Sequence, residues 1–226
     1  MSRSSNRTLV NLGCGPCAEV TNWQDYDGSW NLLASKLPGF LRVPINRLVR
    51  RKHAWPSHVK YVNLLKKLPF QDESVEAVYA SHVWEHLYYC EAEHATAEVF
   101  RILSPGGTLR LAVPNLHDYV CDYMQSHGSQ EAASRLNERL HFRANSRPRR
   151  AHQRVYEALT DFHSHKFMYD VESLKRLLTQ SGFEQVEQKN CMESEIPEIS
   201  EIETESRVGP MRGFAVEGRK PVKNPA

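Results

Sequence analysis

Four short stretches of the 226-residue chain hold residue types whose spacing suits chemistry. In LVNLGCGPCAEV (9–20), an apolar run breaks into Gly13-Cys14-Gly15-Pro16. Two glycines leave the backbone bare, so a ligand can lie against Gly13, Cys14 and Gly15 and meet their N–H groups at the start of a following helix. About a dozen residues on comes Asp27-Gly28. A carboxylate at the end of a second α/β strand accepts hydrogen bonds from both hydroxyls of a ribose, with Asp25 as a nearby substitute. A third candidate strand ends in Asn63-Leu64, an amide for an adenine edge and an apolar side chain for its face. Three such strand ends specify an adenosine nucleoside better than any one alone. The fourth stretch is SHVWEHL, where His82 and His86 flank Glu85, with His163 and His165 following in DFHSHKFMYD. Imidazoles titrate near neutrality and suit general-base work. The plainer alternative is that Glu85 and His86 order a helix start while His163 and His165 are loop residues.

These residues need a scaffold, and the apolar pattern predicts one. RTLVNL (7–12), a short strand within 22–29, VKYVNL (59–64), VEAVYAS (75–81) and TLRLAVPN (108–115) read as buried strands. A helix over 91–107 carries Ala95, Val99, Ile102 and Leu103 on one stripe and stops at Pro105-Gly106-Gly107. A second helix over 170–183 has Asp170 as N-cap, Leu174, Leu177 and Leu178 on one face, and Gly182 after its end. FEQVEQKN and RVGPMRGFAVEGRK supply the last two strands. The expectation is an α/β, Rossmann-like, seven-stranded and mostly parallel sheet with helices on both faces. It forms a single domain over 1–220, with lid or insert segments at 30–58 and 116–168 and a flexible tail at 221–226.

Charge is uneven although the net value is only +2. No Asp or Glu occurs between Gly28 and Gln71, where Arg50 and Arg51 belong to a basic run, and a second basic cluster includes Arg149 and Arg150. Solvated surface explains such clusters, and so does attraction of an anionic small-molecule or glycan substrate, or of nucleic acid. The five cysteines are an odd, scattered set suited to a reducing compartment. Cys14-x-x-Cys17 alone is weak evidence for a metal, and none is expected. Absence of a secretory or membrane-spanning apolar run points to a cytoplasmic protein. Oligomeric state stays open.

LVNLGCGP, LPFQDESVEAVYASHVWEHL and EVFRILSPGGTLRLAVPNL resemble class I methyltransferases that use S-adenosylmethionine. The spacing, with HSHKFMYDVESLKRLLTQSGF, is similar to the compact enzymes of bacterial polysaccharide and O-antigen gene clusters. The resemblance covers about residues 7–190. It implies that Gly13 and Gly15, with Cys14 between them, contact the methionine part of the cofactor. Asp27 and Gly28 would hold the ribose, Asn63 and Leu64 the adenine, and Ser81 and His82 would lie beside the sulfonium. Asn11 replaces the usual acidic residue before the first glycine, and Asn63 the usual Asp; both keep hydrogen-bonding capacity without charge. The implied activity is O-methylation of a sugar or another anionic precursor by in-line displacement. His82 or His165 would be the base, with His86 close by, Tyr169 a further polar contact, and Arg50, Arg51, Arg149 and Arg150 binding phosphate or carboxylate. The alternatives are an RNA methyltransferase or a catalytically degenerate fold that binds a partner. No D/N-P-P-Y/F sequence follows the fourth strand, as nucleobase amino methylation typically uses.

Overall fold

The computed structural model describes residues 7–16, 18–38, 55–141, 164–210 and 212–222. Seven strands form one sheet: β1 (Leu9–Leu12), β2 (Gln24–Asp27), β3 (Lys60–Tyr61), β4 (Val75–Ser81), β5 (Leu103–Val113), β6 (Glu184–Lys189) and β7 (Phe214–Arg219). Their order is β3-β2-β1-β4-β5-β7-β6. The first five run parallel, and β7 is antiparallel to both β5 and β6. The expected seven-stranded, mostly parallel sheet is therefore present.

Alternation along the strands sorts the core. Val10, Leu12, Val78, Ala80, Leu109 and Leu111 pack with the apolar stripes of α2 (Tyr89–Ile102) and α5 (Val171–Gln180). On the other face, Leu9, Trp23, Ala77 and Tyr79 pack against Ile196 and Ile199 of a largely irregular segment. That segment is tied down by Arg110, whose buried guanidinium meets Glu203 at 2.5 Å, Glu217 at 2.8 Å and the carbonyls of Asn190 and Glu193. A short helix, α1 (Trp30–Ser35), packs Leu32 against Cys14 and Val59. After β5 the chain forms α3 (Leu116–Ser126) and α4 (Ala132–Arg139), joined by an ion pair from Arg139 to Asp122 at 2.8 Å.

Two local expectations are corrected. The helix expected over 91–107 ends at Ile102, and Leu103 already takes extended geometry. Pro105 lacks a backbone donor and disfavours helical geometry at Ser104, so the break comes before the Pro-Gly-Gly sequence rather than at it. Gly107 then lies so close to the carbonyls of Glu76 and Ser104 that a β-carbon would sit 2.9 Å from each. Secondly, no helix follows the glycine turn among the described residues between β1 and β2.

From β1 the chain moves to β2 and β3, whereas β4 leads to β5. The strand order therefore reverses between β1 and β4, and ligands of open α/β sheets bind beyond such a switch point. Gly13–Gly15 and Ser81–His82 stand there, at the carboxyl ends of the two strands. Among the described residues, no helix is long and apolar enough to cross a membrane.

Candidate functional site

The glycine turn is built by backbone bonds and by Asp27. The N–H groups of Gly13 and Cys14 both donate to the Tyr26 carbonyl, at 2.7 and 3.3 Å. The N–H of Gly15 donates to Asp27 Oδ2 at 3.1 Å, and that of Ser29 to Asp27 Oδ1 at 2.8 Å. The turn amides thus already have partners, which corrects the expectation that they face a ligand as donors. What the glycines provide is close approach. Both adopt φ near +75°, and a β-carbon on Gly15 would meet nothing within 4 Å among the described residues. On Gly13 it would strike Val83 Cγ2 at 2.2 Å.

Asp27 thus points at the turn. Beside it, Asn11 Nδ2 donates to Asp25 Oδ1 at 2.7 Å, and Asp25 Oδ2 lies 3.3 Å from His58 Nε2. Asn11 and Asp25 are register partners on β1 and β2, which brings the two side chains together. Burial raises the Asp25 carboxyl pKa, against the opposing pull of Asn11 and His58. Burial, with Asp25 and Asp27 close by, also raises the Cys14 thiol well above its ordinary value, so Cys14 is a neutral packing group. Gly28 lies under the Val62 carbonyl, and Asn63 Oδ1 accepts from the Leu65 N–H at 2.9 Å. Leu64 belongs to the main core.

At the tip of β4, Ser81 is buried and His82 takes φ +55°, a left-handed conformation that turns the chain out of the sheet. A 3-10 turn at Trp84–His86 then sets Glu85 inward, fully buried. Glu85 Oε1 lies 3.3 Å from His82 Nδ1 and 3.9 Å from His86 Nε2. His165 arrives from far along the chain because Lys166 N–H and Phe167 N–H donate to the Glu85 backbone carbonyl at 2.7 and 3.2 Å. Its ring sits 5.1 Å from that of His86 and is stacked 4.6 Å from that of His141.

These side chains line a cavity of about 370 Å³, with Pro114, Tyr119, Ser206 and Arg212 completing its wall. Its electrostatics divide the imidazoles. Two positive charges about 5 Å apart repel by roughly 3 kcal/mol at an effective dielectric of 20. Burial, reinforced by His86, His141 and His82 and opposed by Glu85, pushes His165 down to about 4. Burial also opposes charge on His82, but hydrogen bonding and attraction to Glu85 outweigh it, with help from the Arg207 carbonyl, and raise its pKa.

The structure therefore gathers His82, His86 and His165 around Glu85, and gathers Gly13, Cys14, Gly15, Asn11 and Asp27 at the neighbouring strand end. Tyr169 is a correction: its side chain is wholly buried among Phe167 and the main core, away from the cavity wall. The aromatic ring gains more from core packing than its hydroxyl gains from solvent. Arg50, Arg51, Arg149 and Arg150 lie outside the described residues, as do His163 and Cys17. Sequence reasoning missed Tyr119, His141, Ser206 and Arg212. A left-handed residue just past α4, His141 at φ +53°, carried no signal in the sequence.

Residues 10–111 match the sequence profile of a family described as methyltransferase domain. A search of curated protein sequences finds no match. Among solved structures, an S-adenosylmethionine-dependent methyltransferase from Archaeoglobus fulgidus superimposes with a TM-score of 0.50 at 15% identity, over 95% of this chain and 86% of that one. A chain from the complex of a Haloferax volcanii methyltransferase activator with a methyltransferase gives 0.49 at 16% identity, over 98% and 85%. An O-methyltransferase family protein from Burkholderia thailandensis gives 0.48 at 11% identity over 96% of this chain, which spans about half, 52%, of that protein's length.

Proposed function

We propose that this chain is an S-adenosylmethionine-dependent methyltransferase that methylates a hydroxyl of an anionic small molecule, a sugar in a nucleotide-linked or glycan precursor; the match of residues 10–111 to a methyltransferase domain supports it. The bound cofactor supplies a methyl group already activated on a sulfonium. The protein's task is then to align the acceptor, exclude water and take up its proton.

The residues at the β1 and β2 ends fit the adenosine half: Gly15 leaves open space, and Asp27 sets a carboxylate beside it. One observation carries the acceptor assignment: His82, in the cavity wall with Arg212, stands 3.3 Å from the buried Glu85 carboxylate. In this reading neutral His82 accepts the hydroxyl proton, and Glu85 orients it and balances the imidazolium that forms. Arg212 pairs with an acceptor phosphate or carboxylate. A volume of about 370 Å³ falls within the range of small-molecule sites. Arg50, Arg51, Arg149 and Arg150, which lie outside the described residues, would serve as further anion contacts.

The test is calorimetric titration of demethylated cofactor, followed by a methyl-transfer screen of nucleotide sugars against transfer RNA. Asp27→Ala should abolish the saturable heat. His82→Asn should leave that heat intact and lower kcat about 10²–10⁴-fold, the usual contribution of a positioned base. Transfer to RNA alone, or undiminished kcat in His82→Asn, overturns the reading.

A further inference from the structure

We propose that Glu85, His86 and His165 bind a divalent metal ion of zinc-like preference in the floor of the cavity. One ligand atom from each of the three lies within 4.8 Å of the others. Around a tetrahedral ion with bonds of about 2.0–2.1 Å, ligand atoms stand about 3.4 Å apart. Glu85 Oε1 and His86 Nε2 are already at 3.9 Å, so modest side-chain rotation closes the set.

The surroundings favour a cation. Glu85 is fully buried, and beyond the 3.3 Å approach of His82 neither of its carboxylate oxygens meets a hydrogen-bond donor among the described residues. A buried carboxylate in that condition is costly unless a positive charge sits beside it. His165 Nδ1 is likewise buried without a hydrogen-bond partner. His86 Nδ1 lies 3.2 Å from the Ser164 carbonyl, a contact that puts the proton on Nδ1 and aims the Nε2 lone pair toward Glu85. Metal-ligating histidines are commonly held by such an outer hydrogen bond.

Two imidazoles and one carboxylate select a borderline ion such as zinc over magnesium or calcium, which prefer all-oxygen sets. Three protein ligands would leave a fourth position for a ligand from the cavity, whose wall also includes Tyr119, His141 and Arg212. An acceptor oxygen bound there would be polarised and fixed near His82. That role rests on the methyl-transfer reading; the metal site itself does not.

The experiment strips the full-length protein with chelator and titrates it with cobalt(II), without cofactor or acceptor. One equivalent should bind with visible absorption bands of low coordination number. His86→Asn and His165→Asn should each weaken binding at least 10-fold, and Cys17→Ser should leave it unchanged. Far-UV circular dichroism and calorimetry with demethylated cofactor check that the variants remain folded. Absent cobalt saturation, binding that survives both histidine variants, or binding lost in Cys17→Ser overturns the site. Cofactor heat without cobalt binding defeats the metal alone. Cobalt binding without cofactor heat defeats the methyl-transfer reading and leaves the metal standing.

Discussion

Gly13 and Gly15 share a left-handed backbone, yet their surroundings differ enough to separate two roles. At Gly13 an added methyl collides with Val83, one residue beyond His82, so the cost combines backbone strain with displacement of the β4 tip. At Gly15 the space is open among the described residues, and only the strain of about 1–2 kcal/mol applies. Gly15→Ala should therefore fold with a modestly lower Tm but bind demethylated cofactor more weakly, since the methyl occupies the ligand's space. Gly13→Ala should lower Tm further and impair transfer as well. Thermal melts beside calorimetry separate the two, and equal cofactor affinity in Gly15→Ala and the parent protein would contradict the placement of the cofactor. Glycine pairs and the acidic residue after them are legible in sequence because backbone freedom and charge are properties of single residues. Arg212, Tyr119 and His141 were not legible, because ordinary surface residues become a cavity wall only through packing.

At the scale of elements, α5 was the most readable. Asp170 Oδ1 accepts from the Ser173 N–H at 2.8 Å, and the Asp170 N–H donates to Ser173 Oγ at 3.0 Å, a reciprocal cap. These bonds hold the Asp170 carboxyl below its ordinary value near 3.8. A depressed folded-state pKa adds stability above the unfolded value, and that stability is lost as pH falls through the folded one. Asp170→Ala should cost about 1 kcal/mol at pH 7 by denaturant titration. The gap from the parent protein should narrow below about pH 4, and a gap independent of pH would point to packing instead. The end of α2 was misjudged for an equally local reason. A proline breaks the helix before its own position, and the residues after it joined β5 because β4 and β7 offered hydrogen-bond partners on both sides.

Over the whole molecule, Glu203 from the Glu-rich stretch 184–205 and Glu217 of β7 have a structural use. Glu203 and Glu217 both meet Arg110, and all three are buried. Burying such ions gains little net stability, but removing the central cation leaves two carboxylates uncompensated. Arg110→Ala should destabilise the protein by about 3–5 kcal/mol, whereas the triple replacement of Arg110, Glu203 and Glu217 by apolar residues of similar volume should recover most of it. Denaturation midpoints of the two proteins decide, and an equal loss in both would exclude the charge network as the cause. The network fastens the segment that brings Ser206 to the cavity wall and the Arg207 carbonyl within 3.2 Å of His82 Nε2.

Period, punctuation and composition by themselves determined an α/β sheet, its glycine turn, its acidic strand end and the histidine-rich SHVWEHL segment. Those features follow from short-range physics, in which a residue's neighbours along the chain decide its backbone and burial. Only the tertiary structure decided that His165 joins His82 and His86 around Glu85, that Asp25 pairs with Asn11, and that Tyr169 belongs to the core. Such encounters depend on strand order and on hydrogen bonds between distant segments, such as Lys166 to Glu85. No local pattern encodes them, because the energy that selects them comes from burying surface across the whole sheet.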